Sequence, residues 1–384
     1  MENHIHKPKL ILHIGHGKTG TTSIQDFLAA NHQQLLRLGY LYPVRHSPRS
    51  NHVVIRGCFM KPEDMGVHGY QVYAGDTDWF QRDSNKFLKS MCDDIQDKTP
   101  HTVILSAEQM FRDFSKTSKT SLKKFFGEYF SEVLVVAYIK SPMTSFFSSI
   151  SQSIRVGKGN ISPKHREIKR VINYYQGQFP GCIKLNAFEK NQLIKEDVVI
   201  DFLTKYVPEL LGLIEVKKAK RSNVSLSWPL LLLLRKLRMQ VQPEGNKPLR
   251  QTRMMLARVS RQFQKNKNYQ SEKKPKLKKK ASDYLVRYAH DYLWLKKEYG
   301  VVFSDLNYEL INAKQSKPDM NLRFTDLEDL FDLSEIPVFK ADIGWYSSKG
   351  NAYYLFYMVF LLRMRVKRLI SLHLRKALSW MNSI

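Results

Sequence analysis

The chain has 384 residues, 43% of them apolar, and carries 62 Lys and Arg against 35 Asp and Glu, a net charge of +27. That apolar content excludes a chain disordered throughout and is enough for one large domain with insertions or two ordinary ones. The positive excess calls for an anionic partner (phosphate, a sulfated product, nucleic acid or an acidic membrane surface), and three scattered cysteines, Cys58, Cys92 and Cys182, exclude a disulfide scaffold or Cys-rich zinc site and fit a reducing compartment.

In chain order, Lys7 and Lys9 precede an apolar run, Leu10 to Ile14, that is too short for a signal-peptide core, so no export signal is expected. The run reads instead as a first strand. Behind it, Ile24, Phe27, Leu28, Asn31, Leu35 and Leu38 recur at helical spacing, with Gly39 as a stop and Pro43 beyond. Residues 43–100 read as an insertion with little periodicity. Further strands are expected at Thr102–Leu105, Val133–Ile139 and Cys182–Ala187, each followed by a helical stretch. Strands joined in this way imply an α/β fold. Its core would be P-loop-like and three-layered, a mostly parallel central sheet flanked by helices, with ligands at the carboxyl ends of the strands.

The loop between the first strand and first helix, Gly15-His16-Gly17-Lys18-Thr19-Gly20-Thr21-Thr22, has the composition of an anion cradle. Backbone N–H groups and the positive helix end would face an oxyanion. Lys18 adds a fixed charge, Thr19, Thr21 and Thr22 add hydroxyl donors, and Gly17 and Gly20 let the backbone approach. A Walker loop would place a glycine five positions before Gly17, where Leu12 stands inside the strand, so a kinase or nucleoside triphosphatase is the second choice. His13 and His16 flank the loop and read as packing or hydrogen-bonding residues.

The run LHIGHGKTGTTSIQDFL resembles the loop of sulfotransferases that use 3′-phosphoadenosine 5′-phosphosulfate (PAPS), in particular a bacterial branch acting on carbohydrates or glycoconjugates. Val133 to Pro142, followed by Ser148, is similar to the family's second motif, a strand ending in a basic residue with a serine eight positions on. By that resemblance Lys140, at the place of the usual arginine, and Ser148 would hold the 3′-phosphate of the cofactor. Leu185 to Lys190 resembles the family's fourth strand, which places Phe188 near the adenine. Arg221-Ser-Asn223-Val-Ser225, in which Arg221 is a candidate cofactor ligand, and Asp291 to Gly300 look like late segments of the same branch. The likeness runs discontinuously over about residues 9 to 310.

The resemblance implies sulfuryl transfer from PAPS to a hydroxyl without a metal. Lys18 would stabilise charge growing on the leaving phosphate. Glu108, which follows the strand Thr102–Leu105 and so emerges at the rim of the loop, is the first candidate for the base. His52 is the second.

Two tracts hold most of the excess charge. Lys247 to Lys280 contains thirteen basic residues and one acid and reads as a solvated, partly mobile insertion. Only Phe263 and Tyr269 are available there to stack on bases, which argues against nucleic acid. Residues 343–384 contain seven basic residues and no acid, beside the apolar run Ala352–Leu362, about half of what a bilayer span needs. This helical tail suits an anionic membrane surface or packing on the body of the protein. The expected organisation is a catalytic domain over 1–310, with insertions at about 43–100 and 244–281, and an extension over 311–384. The expected location is cytoplasmic, with peripheral membrane contact through the tail. A nucleic-acid or membrane-binding protein with a vestigial phosphate loop is the alternative of a different class.

Overall fold

The computed structural model describes residues 7–44, 51–61, 64, 76–159, 167–213, 226–242, 245, 249–264, 269–271, 273–287, 289–313 and 327–336. Five strands form one sheet: β1 (Lys9–His13), β2 (Tyr40–Leu41), β3 (Thr102–Ser106), β4 (Glu132–Ile139) and β5 (Ile183–Ala187). Their order is β2-β3-β1-β4-β5 and every pairing is parallel. Both faces of β1, β3 and β4 are buried, as their nearly unbroken apolar sequences require. Leu10, Leu12, Val103, Leu105, Val133, Val135 and Ala137 point to one layer, Ile11, Ile104, Val136 and Tyr138 to the other. The fold is therefore the three-layer α/β arrangement that the strand-helix alternation implies.

On the second face lie α1 (Thr21–Ala30), through Ile24 and Leu28, and a later helix, Val198–Tyr206, through Val199, Phe202 and Leu203. The opposite face is covered by α2 (Thr77–Lys98), α3 (Leu122–Tyr129), α4 (Ile168–Gln178) and α5 (His290–Tyr299). Two local differences from expectation have clear causes. The first helix stops at Ala30 and a second begins at His32, because the Asn31 side chain donates to the Phe27 carbonyl at 2.8 Å and competes with the backbone ladder. In the segment expected to lack periodicity, Phe80, Phe87, Met91 and Ile95 recur on one buried face of α2, which Asp76 caps by accepting from the Trp79 amide at 2.7 Å.

The chain divides into two compact units. The first comprises Met1–Ser148, Lys164–Val224 and Tyr284–Pro318 and contains the sheet; the second comprises Ser149–Pro163, Ser225–Asp283 and Asp319–Ile384. In the second unit, helices Trp228–Val241 and Arg250–Phe263 bury Leu230, Leu231, Leu234, Leu256, Val259 and Phe263, and Lys276–Leu277 pairs antiparallel with Phe331–Asp332. Part of the Lys-rich tract is thus a packed amphipathic helix and not a solvated insertion. Phe263 and Tyr269 are buried against each other with centroids 5.2 Å apart, so neither offers a free face to a base. Among the described residues no helix is long and apolar enough to cross a membrane. The basic tail of 343–384 lies outside the described residues.

Candidate functional site

The site is built where β1, β3, β4 and β5 end. After β1 the loop turns through Gly17 (φ 94°), Lys18 (φ 58°) and Gly20 (φ 72°), and α1 begins at Thr21. Left-handed residues at these steps curl the backbone into a concave turn of the kind that gathers N–H groups around an anion. Space beneath it is tight. A Cβ on Gly15 would lie 2.5 Å from the Thr21 hydroxyl, and one on Gly20 would lie 2.6 Å from Val198 Cγ1 and 3.2 Å from the Phe188 ring.

Thr19 and Thr21 are buried, and their hydroxyls have no hydrogen-bond partner among the described residues. Buried hydroxyls are nearly always paired. Two of them orphaned in one Gly-rich turn fit a ligand that brings oxygen acceptors, such as a phosphate. Lys18 is exposed at the crest of the turn and Thr22 is exposed in the first turn of α1.

Glu108 stands beside this loop: its Cα and Cγ would each be 3.4 Å from a Cβ on Gly15. It opens a short 3-10 turn after β3 and is half-buried. Its placement depends on Ser106, two residues earlier, which is the centre of a buried polar cluster. The Ser106 N–H donates to His52 Nδ1 at 2.9 Å and its carbonyl accepts from the His52 N–H at 2.9 Å. Its Oγ lies 2.8 Å from His13 Nδ1 and accepts from Gln25 Nε2 at 3.1 Å. Gln25 belongs to α1, so the helix behind the Gly-rich loop is tied to the strand that presents Glu108.

This cluster corrects the expectation for His52. The ring is 1% exposed, lies between Tyr42 and Phe87, and uses both nitrogens: Nδ1 accepts from Ser106 and Nε2 donates to the Pro43 carbonyl at 2.8 Å. A nitrogen already accepting a backbone N–H cannot serve as a base. His13 is fully buried against Tyr138 and Phe202, and burial pushes its pKa down to about 4, so it stays neutral. Its Nε2 has no hydrogen-bond partner among the described residues.

Lys140 emerges from β4 on the other side of the loop. Its N–H reaches His16 Nδ1 at 3.3 Å, its carbonyl accepts from the Tyr292 hydroxyl at 2.8 Å, and its ammonium lies 5.2 Å above the Phe188 ring. Phe188, just past β5, donates its N–H to the Ile139 carbonyl at 2.7 Å. Lys140, Phe188, Gly20 and the loop therefore meet at one rim. Ser148 is half-buried in the helix Pro142–Arg155, about 9 Å along the axis from its start at 1.5 Å per residue. Arg221 lies outside the described residues.

Several residues at this rim carry no motif. The Ser141 hydroxyl donates to Asp305 Oδ2 at 2.6 Å and accepts from the Thr144 N–H at 3.1 Å. Glu189 accepts from the Ser304 N–H at 3.0 and 3.1 Å and from its hydroxyl at 3.0 Å, and Gln192 bridges to the Val302 carbonyl at 2.8 Å. Burial raises the Asp305 carboxyl above the usual range, the Ser141 hydrogen bond opposes this, and nearby Glu189 adds to the rise. The only signal for these contacts in the sequence is the short distance between Asp291–Gly300 and Asp305, since the partners lie more than a hundred positions away.

Among the described residues no three His, Cys, Asp or Glu side chains gather as a metal site. No protein-family model, no curated protein and no solved structure matches the chain.

Proposed function

We propose that the chain is a PAPS-dependent sulfotransferase acting on a hydroxyl of a carbohydrate or glycoconjugate. The observation that carries this reading is the pair of buried hydroxyls of Thr19 and Thr21, without a hydrogen-bond partner among the described residues, in a glycine turn that has Lys18 at its crest and Lys140 with Phe188 at its edge. PAPS would supply an activated sulfuryl group on a phosphate. The hydroxyls of Thr19 and Thr21 and the turn's N–H groups would donate to that phosphate, and Lys18 would neutralise the charge that grows on its oxygen. Glu108, beside Gly15, would take the proton of the acceptor hydroxyl. Lys140 would meet the 3′-phosphate as a point charge, without the bidentate fork of an arginine, and Phe188 would supply a face for the adenine.

The spacing of the loop argues against a kinase: the glycine that a Walker loop needs five positions before Gly17 is Leu12, inside β1. Cytoplasmic action, with contact to an anionic membrane surface through the basic tail, is part of the proposal, and sedimentation with anionic vesicles tests the contact. The central test is calorimetric titration of the full chain with 3′-phosphoadenosine 5′-phosphate (PAP) against ATP with magnesium, in chelator-treated buffer for the PAP arm and at two salt concentrations. Metal-independent binding of PAP, lost in Lys18→Ala with an unchanged thermal midpoint, is expected. Preference for magnesium ATP, or PAP binding that vanishes with modest salt, overturns the proposal.

A further inference from the structure

Lys140 is held from both ends by groups distant in sequence. Its N–H meets His16 of the phosphate loop, its carbonyl is bound by Tyr292, and the next residue, Ser141, gives its hydroxyl to Asp305. On the neighbouring strand end, Phe188 is followed by Glu189, whose carboxylate is fixed by the N–H and hydroxyl of Ser304. A single short loop, residues 302–305, thus grips both the β4 exit and the β5 exit. It touches neither Lys18 nor Glu108 in any of these bonds. Its grip falls on Ser141 and Glu189, the residues that directly follow Lys140 and Phe188, which lie against each other at the edge of the site.

We infer that the loop 302–305 positions Lys140 and Phe188, and that Asp305, acting through Ser141, sets the preference of the site for a nucleotide bearing a 3′-phosphate. This rests on the reading of the rim as a PAPS site. The Lys140 ammonium reaches out from the β4 exit and lies over the Phe188 ring, so the backbone at the β4 and β5 exits fixes the points from which both side chains project. Ser141 also caps the helix that follows, so a carboxylate that orients its hydroxyl fixes the junction of strand and helix from which Lys140 projects. Asp305 is a positioning residue in this scheme and needs no contact with ligand.

The test is calorimetry on the full chain with two probes, PAP and adenosine 5′-phosphate, which lacks the 3′-phosphate. Asp305→Ala should weaken PAP binding about tenfold, the scale of one charged hydrogen bond, and leave adenosine 5′-phosphate within about twofold. Asp305→Asn, whose amide oxygen can still accept from Ser141, should restore most of the loss. Ser141→Ala should reproduce the loss, and the double variant Ser141→Ala with Asp305→Ala should be no weaker than the weaker single variant. If Asp305→Ala does not fold, Ser141→Ala carries the same comparison. A wild-type chain that binds PAP no better than adenosine 5′-phosphate overturns the PAPS reading and this inference with it. A wild type that prefers PAP, together with variants that keep the preference or lose both probes equally, overturns this inference alone.

Discussion

Acidification should weaken the first unit through His13. The imidazole is fully buried and its pKa is held at about 4 against an ordinary 6.5, so the native chain leaves it neutral while the unfolded chain protonates it as pH falls through 6.5. Stability from this group is therefore complete above about pH 6.5 and is lost progressively as pH falls towards 4. At roughly 1.4 kcal/mol per pH unit the full span is worth about 3 kcal/mol, of which about 2 kcal/mol has gone by pH 5. Other groups titrate in the same range, so the comparison is between wild type and His13→Gln, which can still bond Ser106 but has no proton to gain. Urea unfolding of both at pH 7, 6 and 5, followed by circular dichroism, gives the two slopes. The wild type should lose about 2 kcal/mol more than the variant between pH 7 and 5. Parallel slopes, agreeing within about 0.5 kcal/mol, would refute the assignment of a buried neutral His13.

Other substitutions separate the parts of the site. Gly20→Ala puts a methyl 2.6 Å from Val198 Cγ1 at a positive φ and should cost about 3 kcal/mol and abolish PAP binding; a wild-type thermal midpoint with normal binding would contradict the turn geometry. His52→Ala strands the Ser106 N–H and the Pro43 carbonyl and should cost about 3 kcal/mol, with turnover per folded molecule little changed. A stable His52→Ala chain whose turnover fell a hundredfold would return that residue to the chemistry. Glu108→Gln should lower the release of PAP from PAPS about 100-fold while PAP affinity stays the same; full turnover in that variant removes Glu108 as the base.

The sheet is largely legible in the sequence because its central strands β1, β3 and β4 are buried on both faces, so each reads as a short apolar run bounded by turn residues. The expected Leu10–Ile14, Thr102–Leu105, Val133–Ile139 and Cys182–Ala187 differ from β1, β3, β4 and β5 only at their ends. The edge strand Tyr40–Leu41 is two residues long and too short to carry a pattern. The helix Thr77–Lys98 is legible only from widely spaced anchors, Phe80, Phe87, Met91 and Ile95, set in a polar stretch. At the site, the loop and Lys140 are legible because a Gly-Lys-Thr pattern and a basic residue at a strand end are local features. His52 is misleading for the opposite reason: a histidine's role is decided by what its two nitrogens meet, and here both partners, Pro43 and Ser106, come from other segments. The Ser106 cluster and the 302–305 loop escape sequence reading because each is a meeting of residues far apart along the chain.

That separation along the chain also governs how the site comes into being. The Gly-rich loop lies within the first two dozen residues, yet Tyr292 stands 152 positions beyond the Lys140 it bonds, and Asp305 stands 164 beyond Ser141. During synthesis the five sheet strands are complete once Ala187 has emerged, while the rim stays unbraced until more than a hundred further residues have been made. Contacts of such span are slow to close and leave apolar surface waiting for cover. The buried residues Tyr292, Leu295 and Phe303, which seal one face of the sheet, arrive on the same late segment. The covering of this face of the core and the bracing of Lys140 therefore wait on the same segment of chain, so a nascent chain that lacks it has neither.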